Sequence, residues 1–275
     1  MANNQNKLKR NLGLVALMAT GICSMLGASI NVVPFMIQRN VPGIDSYVLP
    51  AFLFAMIPAL FAALAYGILS SAMPRAGGSY IYASRGLNPY LGFIASFSQW
   101  FGLSIVIGVI AYICVSFIRD VISGLGFVEF SLLLELPVIR VGIALALIWI
   151  FVFINIQGAR SYKRTLLPMM YMMFVLGFIV IVAGFYFDTN DFVRALEIKE
   201  GRRFKVNTVT SFDWRIFLSA AALLFSSFIG FDSIAQAGSE AKNPSKTLPT
   251  AILLAIISVG CFYFLFTTAV YNTIP

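Results

Sequence analysis

The sequence Phe-Ile-Gly-Phe-Asp at residues 228–232 breaks an otherwise apolar stretch of the chain with a glycine and an acid. A second interruption, Gly21 to Ser29, lies in the first apolar stretch. Lipid offers the backbone no hydrogen-bond partners, so irregular backbone at membrane depth is stable only against protein or around a water-filled cavity. Two such breaks, one near the start of each predicted half, indicate a binding site near the bilayer midplane.

The composition is that of a membrane protein. The chain is 60% hydrophobic and 11% charged, whereas a soluble domain carries roughly a quarter charged residues. Apolar stretches long enough to cross the hydrocarbon layer, about 18 residues or more, occur along the whole chain. They are Asn11–Gln38, Ser46–Pro74, Gly86–Ile118, Val141–Ala159, Thr165–Phe187, Ile216–Gln236 and Thr247–Pro275. We therefore predict an all-α polytopic membrane helix bundle with seven spans.

The charged residues predict the orientation of these spans. Lys7, Lys9 and Arg10 precede the first span and predict a cytoplasmic N-terminus. The segments on that side then remain basic, whereas the short external segments offset their arginines with acids. The net charge of +8 thus reflects the basic residues in the cytoplasmic segments of a plasma-membrane protein. It does not predict a nucleic-acid partner.

The cysteines and the absence of histidine argue against metal or enzyme chemistry. Cys23, Cys114 and Cys261 fall in three different spans, and the chain has no histidine. No zinc, haem or Cys-His pattern results, and no organic cofactor is implied. Paired acids or a Ser-Lys pair at matching depth are also missing from the pattern, so we do not expect an enzyme.

The two interruptions would present backbone groups of opposite partial charge, amides at one and carbonyls at the other. Small residues in the first span permit either a helix break or close helix packing. If the helix breaks there, the amides of Gly27, Ala28 and Ser29 form a partly positive helix end that suits a carboxylate. The segment 225–229 would expose carbonyls that suit an ammonium group. An anion site facing a cation site describes an α-amino acid.

Asp232 is the only acid placed well inside a predicted span. A buried charge in the membrane is costly unless it is partnered or lines water. We interpret Asp232 as a protonatable or gating carboxylate near the substrate. The alternatives are a cap or anchor for the broken helix, or an acid near the cytoplasmic end.

Two long motifs resemble a known family. The first is AYGILSSAMPRAGGSY at residues 65–80, and the second is FIGFD at 228–232 followed by EAKNPSKTLP at 240–249. Asn155 and Gly158 fit as well. Together they resemble the signature of the amino acid–polyamine–organocation permeases over essentially the whole chain. The resemblance implies two inverted five-helix repeats, usually within about twelve spans, with helices one and six unwound around the substrate.

The resemblance also implies a substrate site made of backbone groups at the two breaks and of small or apolar side chains. Its positions are Met25, Gly27, Ala28, Ser29, Leu103, Val106, Ser226, Phe228 and Ile229. The amides of Ala28 and Ser29, after Gly27, would hold the substrate carboxylate. The carbonyls of Met25, Ser226 and Ile229 would hold the α-amino group. Asp232 stands where family members often carry an acid for gating.

The remaining contacts and the departures from the family indicate the substrate and its coupling. Ser226 and Phe228 would face the side-chain pocket together with Leu103 and Val106 of the third span, which favours a neutral, aliphatic amino acid. Met173 stands where a subset of the family carries a lysine for proton coupling. A coupling proton would then depend on Asp232.

The resemblance divides residues 1–275, a single membrane domain, into parts. Residues 12–187 form the first five-helix repeat, 188–213 an extracellular loop, and 214–275 the first two helices of the second repeat. We expect an N-terminal portion with about seven of the usual twelve helices. A fragment is favoured over a split transporter completed by a partner chain and over a natural short form.

The predicted function is secondary-active transport of amino acids by alternating access. The alternative is a truncated or non-transporting membrane subunit, or an amino acid sensor that needs a partner chain, because binding alone does not establish flux. Seven spans also suggest a receptor or a retinal pump. The basic N-terminus argues against both, and the last span has no lysine for a retinal Schiff base.

Overall fold

The computed structural model describes residues 11–27, 36–200 and 212–273. Within these ranges the regular elements are helices and helical turns, apart from one β-bridge between Leu12 and Ala241. The α-helices are α1 (Leu14–Leu26), α2 (Val48–Ala72), α3 (Gly78–Gly86), α4 (Pro89–Gly124), α5 (Val128–Leu133), α6 (Pro137–Ile156), α7 (Ala159–Tyr186), α8 (Thr189–Glu200), α9 (Trp214–Phe225), α10 (Asp232–Gln236) and α11 (Pro244–Thr273).

Six helical segments of the described chain are long and apolar enough to cross a membrane. They are Asp45–Ala72, Pro89–Gly124, Pro137–Ile156, Ala159–Tyr186, Trp214–Ser239 and Pro244–Thr273. The predicted all-α polytopic membrane bundle is confirmed. The first predicted span is described only in part: α1 has 13 residues, and residues 36–40 are helical again.

Local sequence signals set several helix starts. Asn88 precedes α4, and its side-chain oxygen accepts a hydrogen bond from the amide of Leu91 at 2.9 Å. Asp213 does the same before α9, accepting from the amide of Arg215 at 2.7 Å. Side chains of this kind satisfy amides that have no partner inside the helix. Pro137 begins α6, where its missing N–H costs no hydrogen bond.

The chain forms two compact units, one of Met1–Gly78 with Thr165–Pro275 and one of Ser79–Arg164. In the first unit, α11 presents a buried apolar face. Fully buried residues on it are Leu248, Ile252, Ala255, Ile256, Val259 and Tyr263. Gly260 admits the thioether of Met56, since a Cβ there would lie 2.6 Å from the sulfur. Small residues allow such close packing, which holds helices together in lipid.

The second unit contains the hairpin of α4 and α6, joined through α5. Its small core consists of Ala111, Val115 and Ala144. Most other side chains of both long helices are apolar and exposed. Exposed apolar surface on helices of membrane length is what contact with lipid requires.

A substitution at Gly184 tests whether α7 packs closely on α11. A Cβ at Gly184 would lie 2.5 Å from the carbonyl oxygen of Ala269. We expect Gly184→Ala to lower the free energy of unfolding by about 1–3 kcal/mol, because the backbone must shift. The measurement is thermal unfolding in detergent. The control is Gly108→Ala in α4, where an added Cβ meets nothing within 4 Å; equal melting temperatures for both variants would contradict the packing argument.

Candidate functional site

The backbone leaves the helical conformation between α9 and α10. After α9, residues Ser226–Phe228 form a 3₁₀ turn, and Ile229 is extended with φ −71° and ψ 129°. Gly230 follows at φ +135°, a region that glycine adopts without a steric penalty. The helix resumes at Asp232. The glycine and acid of FIGFD thus lie at the interruption itself.

This interruption packs directly on the end of α1. A Cβ at Gly230 would lie 2.8 Å from the Cβ of Ser24 and 3.0 Å from the backbone nitrogen of Met25. One turn earlier on α1, a Cβ at Gly21 would lie 2.5 Å from Cδ1 of Ile234 in α10. Glycines on both segments therefore allow α10 and the break to approach α1 closely.

A buried tyrosine fixes the last turn of α1. The Tyr263 hydroxyl of α11 donates to the carbonyl oxygen of Met25 at 3.1 Å across 238 residues of sequence. The Tyr263 ring stacks on Phe52 with centroids 5.3 Å apart and meets Phe228 edge-on at 6.2 Å. This aromatic cluster joins α2, α11 and the turn at the break.

The structure brings five of the predicted substrate positions into the first unit. Met25 lies in the last turn of α1, and Gly27 ends that helix at φ +29°. The other three, Ser226, Phe228 and Ile229, form the turn at the break. Ala28 and Ser29 lie outside the described residues. Leu103 and Val106 lie on α4 in the second unit, where both are about half exposed.

The carbonyls predicted to receive an ammonium group already have one protein donor in two cases. Met25 accepts from Tyr263, and Ser226 accepts from the amide of Ile229 at 3.2 Å. A carbonyl has two lone pairs, so each can accept a second hydrogen bond. The Phe228 side chain is only 1% exposed, which places it in the aromatic cluster.

Asp232 lies at the start of α10 and is half-buried. Its carboxylate is within hydrogen-bonding reach of the backbone amides of Gly230 and Ser233. The Ser233 hydroxyl donates to the Gly230 carbonyl at 2.6 Å. The Ser233 amide also donates to the Gly230 carbonyl, at 3.2 Å. The gating and anchor interpretations of Asp232 both stay predictions.

Sequence reasoning missed three features of this region. Tyr263 lies in an apolar span, and nothing in the local sequence indicates that its hydroxyl bonds to a residue as distant as Met25. Leu12 pairs with the segment after α10: its amide donates to Glu240 at 3.0 Å, and its carbonyl accepts from Lys242 at 2.8 Å. Ser227 is buried, and its hydroxyl finds no hydrogen-bond partner in the described part of the chain.

The fold and this arrangement define a class of protein, the polytopic membrane helix bundles in which an interrupted helix packs on the end of the first helix. The chain belongs to the amino acid permease family, whose model matches residues 12–275.

Three relatives illustrate the range of this similarity. The chain is 25% identical to the branched-chain amino acid permease BcaP of Bacillus subtilis, over 99% of this chain and 57% of that protein. It is 25% identical to the cadaverine/lysine antiporter of Escherichia coli K12, over 97% and 55%. It is 24% identical to the low-affinity putrescine importer PlaP of the same strain, over 95% and 53%. The chain spans about half the length of these relatives.

The Tyr263 hydroxyl offers a test of the packing at the end of α1. We expect Tyr263→Phe to lower the free energy of unfolding by about 1 kcal/mol, the usual net value of one buried hydrogen bond. The aromatic contacts are retained in this variant. Thermal unfolding measures the change, with Tyr171→Phe as control because Tyr171 is exposed on α7. A Tyr263→Phe protein as stable as the control would show that this bond contributes nothing.

Proposed function

We propose that the protein carries amino acids across a membrane by secondary-active alternating access. Membership of the amino acid permease family supports this function. The observation that carries the proposal is the close approach of the Gly230 break to Ser24 and Met25. Unpaired backbone groups are tolerated at membrane depth only where protein or a cavity surrounds them, and broken helices provide such groups for a polar ligand.

In this proposal the two breaks hold the two charged groups that amino acids share. Carbonyls of Met25, Ser226 and Ile229 receive the α-amino group, since helix C-terminal ends favour cations. Amides of Ala28 and Ser29 receive the α-carboxylate, an assignment that rests on the family resemblance alone. Leu103 and Val106 remain proposed contacts of the substrate side chain on the same basis.

The substrate we propose is a neutral, aliphatic amino acid. The pocket positions assigned by resemblance are small or apolar, and they offer no acid to a cationic side chain. One relative is named a branched-chain amino acid permease, which agrees with this choice. Two others are named for lysine, cadaverine or putrescine, so cationic substrates are the competing class.

Substrate-dependent counterflow in proteoliposomes tests both the function and the substrate class. We expect leucine inside the vesicles to accelerate entry of labelled leucine, whereas arginine and putrescine inside leave it unchanged. Empty liposomes and an unrelated membrane protein serve as controls. Acceleration by arginine but not by leucine would overturn the neutral substrate. Leucine binding without counterflow would instead favour the sensor, or a subunit that needs a partner chain.

Alternating access requires one group of helices to move against another. The chain's two compact units divide it in a way that supports this proposal. The first unit contains α1, which precedes the predicted first break, and α9 and α10, which flank Gly230; the second contains α4 and α6. We propose that the first unit provides the moving bundle and the second a part of the scaffold.

The basic residues before the first span further suggest a cytoplasmic N-terminus in the plasma membrane.

We propose a proton as the coupling ion and Asp232 as the residue that carries it. Asp232→Asn keeps the size of the side chain but removes its titration. We expect leucine uptake by this variant to lose its dependence on an imposed pH gradient while counterflow is retained. Asp213→Asn is the matched control, because Asp213 caps α9 and asparagine caps equally well. Unchanged pH dependence in Asp232→Asn would reject the coupling role and leave the anchor.

A further inference from the structure

The end of the α4–α6 hairpin that carries α5 holds a cluster of charged side chains. Arg119 of α4 pairs with Asp120 at 2.6 Å and with Glu135, between α5 and α6, at 2.9 Å. Both acids are therefore engaged by one arginine. Arg140, in the first turns of α6, makes no ion pair with an acid of the described chain, since these two are the salt bridges found there.

The contacts of Arg140 hold its side chain but leave most of its donors unused. One terminal nitrogen donates to the hydroxyl of Ser116 on α4. The guanidinium carbon lies 4.0 Å from the ring centroid of Tyr112, which precedes Ser116 by one turn of α4. The Nε atom is buried and has no acceptor within the described structure. A guanidinium group carries five N–H donors, and a buried donor without an acceptor is destabilising.

The surroundings of Arg140 are those of a membrane interface. The 36 residues of α4 extend about 54 Å, whereas the hydrocarbon layer is about 30 Å thick, so the charged end can lie outside it. The short helix α5 and the residue before it expose Phe127, Phe130 and Leu132 beside the acid Glu129. Exposed aromatic and aliphatic side chains next to charge are typical of segments at the headgroup boundary.

We propose that Arg140 binds the phosphate of an anionic phospholipid at this end of the hairpin. The planar guanidinium matches phosphate with two parallel hydrogen bonds. The ring of Tyr112 and the hydroxyl of Ser116 orient the group, and the phosphate accepts from terminal N–H groups that have no acceptor in the described structure, whereas the buried Nε is not a contact of the lipid. The site lies within the second unit and does not depend on the proposed transport function.

The competing explanation is that Arg140 serves only to pack α6 against α4. The substitution Ser116→Ala distinguishes this role from lipid binding. If Arg140 only braced α6 against α4, removing the Ser116 hydroxyl would weaken that contact and lipid would have no effect. If Arg140 binds phosphate, Ser116→Ala frees one more donor for the lipid. The lipid preference is then retained in Ser116→Ala and lost in Arg140→Gln.

The experiment measures thermal unfolding of the purified protein in detergent against increasing short-chain phosphatidylglycerol, phosphatidylcholine or inorganic phosphate. We expect phosphatidylglycerol to stabilise the wild-type protein at about tenfold lower concentration than phosphatidylcholine, and Arg140→Gln to lose that preference, as expected for one charge-assisted contact. Arg160→Gln is the matched control, because Arg160 is an exposed arginine at the start of another spanning helix. Its preference should equal that of the wild type.

Four results would overturn the proposal. They are the absence of a lipid preference in the wild type, its persistence in Arg140→Gln, its equal loss in Arg160→Gln, and equal stabilisation by inorganic phosphate. The last result would assign the arginine to free phosphate instead of lipid. If Arg140→Gln does not fold, Arg140→Lys replaces it. Lysine keeps the charge without the planar fork, so an undiminished preference in that variant would also reject the site.

Discussion

The structure depends on one close approach, that of the backbone at Gly230 to Ser24 and Met25. Two features of glycine meet at this position. Its φ of +135° is rarely open to other residues, and the space where a Cβ would stand is filled by α1. A helix interruption in lipid would otherwise leave backbone groups unpaired. Packing the break on the end of α1 places the backbone at Gly230 against protein.

Other contacts hold this arrangement from several directions. Leu12 ties the chain before α1 to the segment after α10 through two backbone hydrogen bonds. Tyr263 holds the last turn of α1 from α11, and Gly21 lets α10 lie along α1. The start of α1 is therefore joined to the segment after α10, its middle to α10, and its end to α11. In alternating access these helices would be expected to move together.

The sequence predicted the spans well because length and apolar character alone decide which segments can cross lipid. The break at Gly230 was visible for the same reason, since a glycine and an acid stand out in an apolar stretch. Tyr263 could not be found this way, because its partner lies 238 residues away and an apolar span tolerates tyrosine for many reasons. Arg140 stands just before the predicted span Val141–Ala159, whereas in the structure it lies inside α6 and contacts Ser116 of α4.

Phe228 shows how a family assignment and local packing can differ in detail. Resemblance places its side chain at the substrate pocket, yet the ring is buried against Phe52 and Tyr263. Since the Tyr263 hydroxyl holds the Met25 carbonyl, Phe228 is linked through one aromatic contact to a proposed ligand of the substrate amino group. Its influence on the site can therefore pass through this tyrosine.

Asp232 is open to three interpretations, a proton carrier, an anchor of the break and an acid near the cytoplasmic end, and the first two can be connected. The Asp232 carboxylate lies within hydrogen-bonding reach of the backbone amides of Gly230 and Ser233 at the break. Protonation removes the negative charge and turns one oxygen into a hydroxyl, so hydrogen bonds from these amides lose their charge assistance and become weaker. In the proposed mechanism, proton binding would thus weaken the anchor at the point where helix geometry must change. A single carboxylate can serve both purposes because the group that titrates is also the group that holds the backbone.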